Sequence, residues 1–136
     1  MKVYSTNYYN TFIEVADDCA ATRGTIPPAK EKKTIACLQY EILTKSPYSL
    51  TSDDLLFQLY ADRNALPAER YAEARTLFFS KGQPCLRTSP LTKKYGFGIH
   101  CNNEGKLALY GVETDEYRSL VKNKDIVKVR AMRSNK

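Results

Sequence analysis

The sequence predicts one α+β domain covering residues 1–136, with a mostly antiparallel sheet of about four to five strands and three to four helices. Three observations predict this class. Apolar residues recur at helical spacing between residues 34 and 81, strand-like alternation dominates after Gly82, and one further alternating segment precedes the helices. A chain of 136 residues is long enough to bury one ordinary hydrophobic core. The expected order of elements is β-α-α-α-β-β-β-α-β.

The first strand is predicted at TFIEVA (11–16), which is rich in β-branched and aromatic residues and alternates along its length. It leads into a loop at 17–33 that contains Gly24, Pro27 and Pro28 and shows no apolar period. Long loops in small domains are often functional, so we expect this segment to be a lid or a binding loop.

Three helices are predicted next, each with its own start and stop signals. The first begins at Thr34 and ends before Pro47. The second begins at Thr-Ser-Asp-Asp (51–54), a sequence typical of a capping box. The third begins at Pro67 and ends at Gly82, because proline is favoured in a first helical turn and glycine at a helix end. Their apolar stripes predict that the three helices pack as one layer.

The rest of the chain alternates like strands and carries turn signals. Asn-Asn-Glu-Gly (102–105) is predicted to form a hairpin turn, since asparagine and glycine tolerate positive φ. Thr114 is placed to cap a short helix, with Asp115 and Glu116 favourable to its dipole. The last strand should have a basic outer face. The predicted strands are 84–88, 95–101, 106–112 and 125–133.

The net charge of +6 is concentrated in the second half of the chain. Residues 80–136 contain twelve lysines and arginines against five acidic residues, an excess of seven positive charges. A surface of this kind favours an anionic partner, such as nucleic acid or a phosphorylated ligand. The same pattern is typical of a solvated basic face without a partner, so both interpretations stay open.

Four cysteines and the hydropathy pattern indicate the compartment. Cys19, Cys37, Cys85 and Cys101 include no C-x-x-C pair, and the amino terminus has no apolar core typical of a signal peptide. We therefore expect reduced thiols, a cytoplasmic location, no membrane span, no metal and no cofactor.

The segment RTSPLTKKYGFGIHC (87–101) contains most of the candidate site residues. Arginine, lysine and hydroxyl side chains at its start have the chemistry to hold a phosphate, although the spacing is not that of a Walker loop. Two glycines two residues apart in a strand leave a groove on one face, with the histidine at its end. The loop at 89–94 is expected to be exposed, with its cations near the last strand. The candidate ligand-binding residues are Arg87, Ser89, Thr92, Lys93, Lys94, Gly96, Gly98, His100, Lys128 and Arg130.

Catalysis is a second possibility at the same segment. His100 is the only histidine and the natural general base, because its ordinary pKa lies near neutrality. A nucleophile would have to come from Ser89, Thr92 or Lys93, in a pocket under the 17–33 loop. Three functions therefore remain open: an anion-binding module without catalysis, a small enzyme, and a protein-interaction subunit or homodimer. The oligomeric state is open as well.

Several longer stretches carry a family resemblance. NYYNTFIEVA (7–16), TSDD (51–54), LRTSPLTKKYGFGIH (86–100) and GKLALY (105–110) together resemble a family of small, single-domain bacterial proteins of unknown function. The resemblance covers nearly the whole chain and implies a single domain, but it implies no activity, cofactor or catalytic residue.

A weaker resemblance is confined to residues 91–97. The hydrophobic-Thr-Lys-Lys-aromatic-x-aromatic pattern there is similar to a segment of the MmcQ/YjbR-like α+β proteins, some of which are suspected of binding DNA. The chain has no tryptophan, which is common in those proteins.

Overall fold

A computed structural model describes residues 3–29 and 33–133 of the chain. Within them lie five α-helices, four strands and two short 3₁₀ turns, at 68–70 and 86–88. The strands are β1 (Thr11–Glu14), β2 (Phe97–Cys101), β3 (Leu107–Gly111) and β4 (Val127–Arg130), and the helices are α1 (Ile35–Lys45), α2 (Ser52–Arg63), α3 (Tyr71–Phe78), α4 (Pro90–Lys93) and α5 (Asp115–Lys122).

The four strands form one sheet in the order β3-β2-β1-β4. β2 pairs antiparallel with both β1 and β3, whereas β4 pairs parallel with β1. The α+β class and the mostly antiparallel sheet are therefore confirmed. The predicted hairpin turn is present as well: the Asn102 side chain accepts hydrogen bonds from the backbone N–H groups of Glu104 and Lys106, and Gly105 has φ +80°.

The strand predicted at 84–88 is wrong. Residues 86–88 form a 3₁₀ turn, and the expected loop after it is the single turn of helix α4. Ser89 caps that turn by accepting from the N–H of Leu91, and Pro90 occupies its first position. A serine cap followed by proline stabilises a helix start, and this local preference prevails over the alternation of the preceding residues.

Helices α1, α2 and α4 cover one face of the sheet. Ile13, Ile99 and Leu107 point from the strands into a core that also contains Leu43 of α1 and Leu55 of α2. Successive strand residues alternate between faces, so the neighbours of these residues point to the opposite face. There Phe12 lies beside His100 in the register, and α5 packs through Tyr117 against Phe12.

The capping box predicted at the start of α2 is confirmed. The Thr51 side chain accepts from the N–H of Asp54, and the Asp54 carboxylate accepts from the N–H of Thr51. Asp53 has a different role, because its carboxylate accepts from the backbone and hydroxyl of Thr6 and from the hydroxyl of Ser5. It thereby anchors the amino-terminal segment to α2.

The described part of the 17–33 loop lies against the start of β2. Thr25 N–H donates to the carbonyl of Tyr95, and Gly24 N–H donates to Glu113. None of the described helices is long and apolar enough to cross a membrane.

Candidate functional site

The hydroxyl groups expected to hold a phosphate face the interior. Ser89 is 4% exposed and donates to the side-chain oxygen of Gln39 at 2.6 Å. Thr92 is fully buried and donates to the carbonyl of Ser89 at 3.0 Å. The expectation of an exposed 89–94 loop is therefore wrong for these two side chains, because the helical turn of α4 directs them toward α1 and the core.

Three of the candidate cations are engaged by the protein's own oxygen atoms. Arg87 does approach β4, where its Nε donates to the carbonyl of Arg130 at 2.6 Å. The Arg130 side chain is occupied by carboxylates, with Asp17 at 2.5 Å and Glu14 at 3.8 Å. Lys128 donates to the carbonyls of two residues in the preceding turn, 123 and 126.

Lys93 and Lys94, by contrast, form no ion pair with any residue in 3–29 or 33–133. Neither lysine is therefore neutralised by a carboxylate of the described residues, whereas Arg130 is.

The groove expected at the two glycines is filled by the protein itself. Gly96 precedes β2 and has φ +79°, and an added Cβ would lie 2.5 Å from the carbonyl oxygen of Arg23. At Gly98 an added Cβ would overlap the Phe12 ring and lie 2.7 Å from Cε2 of Tyr117. Both glycines therefore permit close packing, and neither leaves room for a ligand.

His100 lies instead in a hydrogen-bonded aromatic cluster. Its Nδ1 is 2.8 Å from the hydroxyl of Tyr48, and that hydroxyl is 2.7 Å from the hydroxyl of Tyr110. The position of Tyr48 depends on the turn after α1, where its φ is +57° and its N–H donates to the carbonyl of Leu107 at 2.7 Å. Tyr110 comes from β3, so three separate segments supply the cluster.

These three side chains line an open cleft of about 460 Å³ beside α5. The α5 wall contributes Asp115, Glu116, Ser119 and Leu120. Asp115 pairs with Arg118, which offsets part of the negative charge at the rim. The volume falls in the range of small-molecule sites, about 300–1,000 Å³.

His100 and Tyr48 are both neutral near pH 7. Burial lowers the pKa of His100, and burial together with the hydrogen bond to Tyr110 raises the pKa of Tyr48. The neutral imidazole has one donor and one acceptor nitrogen, so two proton arrangements are available. In the first, Tyr110 donates to Tyr48, Tyr48 donates to Nδ1 of His100, and Nε2 carries the ring proton. In the second, Nδ1 donates to Tyr48, Tyr48 donates to Tyr110, and Nε2 has a free lone pair.

Comparison with known proteins assigns nearly the whole chain to one family. A model of a family of unknown function, DUF6157, matches residues 3–136. The chain belongs to this family. No curated protein and no solved structure matches it. The resemblance to a family of small uncharacterised proteins is thereby confirmed, whereas the local likeness to MmcQ/YjbR-like proteins is not supported.

The catalytic partners considered for His100 in this DUF6157 protein lie elsewhere. Ser89 bonds to Gln39 of α1, and Leu91 of the same turn packs against Ala36, so α4 belongs to the face opposite His100. None of residues 17–29 lines the cleft. The sequence therefore grouped residues that the sheet separates.

Sequence reasoning missed the two tyrosines. The strand alternation could have identified Tyr110, because it alternates with Leu109 in β3 and pairs with Gly98, on the same face as His100. No sequence pattern could have identified Tyr48, since it follows a helix-ending proline in an irregular turn. Among the described residues, no group of three or more histidine, cysteine or acidic side chains could hold a metal. All four cysteines are described, and each is free.

Proposed function

We propose that this protein binds a small polar molecule in the cleft formed by Tyr48, His100 and Tyr110. The observation that carries the proposal is the hydrogen-bond chain from Tyr110 through Tyr48 to Nδ1 of His100, which lines an open cleft. Among the described residues, none occupies the other ring nitrogen, Nε2.

The chain selects a particular kind of ligand. In one proton arrangement Nε2 donates and Tyr110 accepts, and in the other Nε2 accepts and Tyr110 donates. Each arrangement thus offers one donor and one acceptor toward the cleft. A ligand with an N–H next to a carbonyl oxygen, such as a cyclic amide, satisfies both at once. The same arrangement would place Nε2 of His100 to transfer a proton to or from such a ligand.

The test uses the single histidine of the chain. Because only one histidine is present, the ring signals of His100 are unambiguous in an NMR spectrum of labelled protein. Titration with 2-pyridone should shift these signals, whereas N-methyl-2-pyridone, which lacks the donor, should shift them far less. Tyr48→Phe should weaken binding roughly twofold to tenfold, as expected for one neutral hydrogen bond.

Tyr71→Phe is the matched control, because this tyrosine is 40% exposed and lies outside the cleft. It should leave the affinity unchanged. If cyclic amides do not move the His100 signals beyond their N-methyl analogues, the cluster is purely structural and the proposal is wrong.

We also propose a second function, in which the basic second half of the chain binds nucleic acid or another polyanion. Its support is the excess of seven positive charges in residues 80–136 and the absence of ion pairs at Lys93 and Lys94 within the described residues. Affinity of this origin falls steeply with salt, because it arises from counterion release.

Filter binding with single- and double-stranded DNA at two salt concentrations tests this second function. Lys93→Gln with Lys94→Gln should weaken binding and flatten its salt dependence. Lys45→Gln with Arg70→Gln, an equal change of charge at two exposed cations outside residues 80–136, is the control. Absence of DNA binding even at low salt would exclude the nucleic-acid form.

We propose a bacterial cytoplasm as the working compartment, which rests on the family resemblance and the unpaired thiols. Burial raises the pKa of Cys101 to about 12, so this thiol is a poor nucleophile and unreactive to oxidants. Alkylation followed by mass spectrometry of protein isolated from its native cell should find four free thiols. A disulfide would contradict the proposed compartment.

A further inference from the structure

A second pocket lies in the helical layer, on the opposite face of the sheet from His100. It occupies about 380 Å³ between α1, α2 and α3. On α2 the side chains at Leu56, Leu59, Tyr60 and Arg63 line it, at the spacing that places residues on one helix face. Ile35 and Gln39 do the same from α1.

The walls of this pocket are apolar and partly open to solvent. Ile35 is 43% exposed and Tyr60 is 40% exposed, whereas Leu59 at the base is buried. Phe78 of α3 closes the third side and stacks against Tyr60, with ring centroids 4.8 Å apart. Such walls favour an apolar ligand body, because covering them removes apolar surface from water.

Gln39 directs a hydrogen-bond donor group toward this pocket. It is 4% exposed, and its side-chain oxygen accepts from Ser89 at 2.6 Å. That short distance is typical of an O–H···O contact, which leaves the Nε2 amide as the free end. Nε2 has no acceptor in residues 3–29 or 33–133 and is not fully enclosed, so it is open to a ligand from the pocket side.

Arg63 adds a positive charge at the pocket. It forms no ion pair with any carboxylate in the described residues. Three other polar side chains line the pocket. Asn64 donates to the carbonyl of Tyr60 and Gln83 donates to the carbonyl of Phe78, and Tyr60 contributes a neutral hydroxyl. Arg63 is therefore the one positive charge in the lining, and Gln39 adds an amide donor beside it.

We propose that this pocket binds a small amphiphilic carboxylate, with an aliphatic or aromatic body between the helices and a carboxylate on Gln39 and Arg63. One guanidinium and one amide match the single negative charge and two oxygens of a carboxylate. A phosphate dianion would leave charge and oxygens without partners. The site is independent of the His100 cleft, because the sheet separates them.

Isothermal titration with decanoate, below its micelle concentration, tests the proposal. Decanoate should bind with one-to-one stoichiometry, and the NMR side-chain amide signal of Gln39 should shift. Hexanoate should bind more weakly, by roughly twofold to fourfold for each methylene removed. Decyltrimethylammonium, which has the same tail with the opposite charge, should bind at least tenfold more weakly than decanoate.

Arg63→Gln should weaken decanoate binding about tenfold, whereas Arg70→Gln, an exposed arginine outside the pocket, should not. Gln39→Glu keeps an acceptor for Ser89 but replaces the free donor with a negative charge, so it should abolish decanoate binding. Equal effects of the two arginine variants, equal binding of the cationic amphiphile, or no binding of decanoate would each overturn the proposal. Because Arg63 is on the surface, its variant remains informative even if Gln39→Glu fails to fold.

Discussion

Replacement of Gly98 by alanine tests whether a glycine is needed there to let the neighbouring aromatic rings pack against the strand. The added Cβ would overlap the ring of Phe12, which is fully buried, and press on Tyr117, which is 6% exposed. Both rings are held edge to face at 4.9 Å, so neither moves away without disturbing the contact between α5 and the sheet. We therefore expect a loss of stability and no specific loss of binding in the cleft.

The magnitude follows from two opposing terms. Overpacking a filled core costs about 1–3 kcal/mol. Alanine also restricts the unfolded chain relative to glycine, which returns about 0.4–1 kcal/mol. The midpoints of the two ranges, about 2 and about 0.7 kcal/mol, leave a net loss of about 1.3 kcal/mol. For 136 residues the entropy of unfolding is about 0.29 kcal/mol/K, so the melting temperature should fall by about 4–5 °C.

Calorimetry or circular dichroism measures this difference against Gly82→Ala. An added Cβ at Gly82 meets nothing within 4 Å, so that variant should stay within about 0.5 kcal/mol of the parent. In a Phe12→Leu background the Gly98→Ala penalty should shrink, because the overlapping ring is gone. Equal melting temperatures for the two alanine variants, or an unchanged penalty after Phe12→Leu, would refute this account of the glycine.

Two further predictions concern titration and the amino-terminal segment. Burial lowers the pKa of His100 in the folded protein. When the pH is lowered through the ordinary histidine pKa of 6.5, the unfolded chain therefore binds a proton more readily than the folded chain, and the stability of the fold decreases. His100→Gln should therefore lose less melting temperature than the parent between pH 7.5 and 5, and identical pH profiles would contradict this. Asp53→Asn should cost about 1–3 kcal/mol and speed hydrogen exchange at Thr6, whose N–H donates to that carboxylate at 2.7 Å; unchanged exchange would show that the carboxylate does not anchor the segment.

Local signals account for the parts of the fold that the sequence predicted well. The capping box at Thr51, the hairpin turn ending at Gly105 and the cap at Thr114 each depend on residues within four positions. Such contacts form without distant partners, so they are visible in the sequence. The strand predicted at 84–88 failed for the same kind of reason, because the Ser89-Pro90 helix start was overlooked.

The candidate site was predicted only in part, because its members are distant in the chain. His100 was identified by its chemistry alone, but its partner Tyr48 lies 52 residues away, in a turn without periodicity. The alternation of residues along a strand predicts which side chains share one face, but it does not predict which helix covers that face. The two glycines were therefore predicted to line a groove that Phe12 and Tyr117 fill.

The fold class, the helix starts, the turns and the uneven charge depend on neighbouring residues and composition, so the amino-acid sequence predicts them. The division of the RTSPLTKKYGFGIHC segment between two faces of the sheet emerges only when the chain is packed. Ser89 there supports Gln39 among the helices, and His100 meets Tyr48 and Tyr110 beside α5. Contacts between segments are set by how the sheet and helices pack, and no local pattern specifies which distant side chain completes a site.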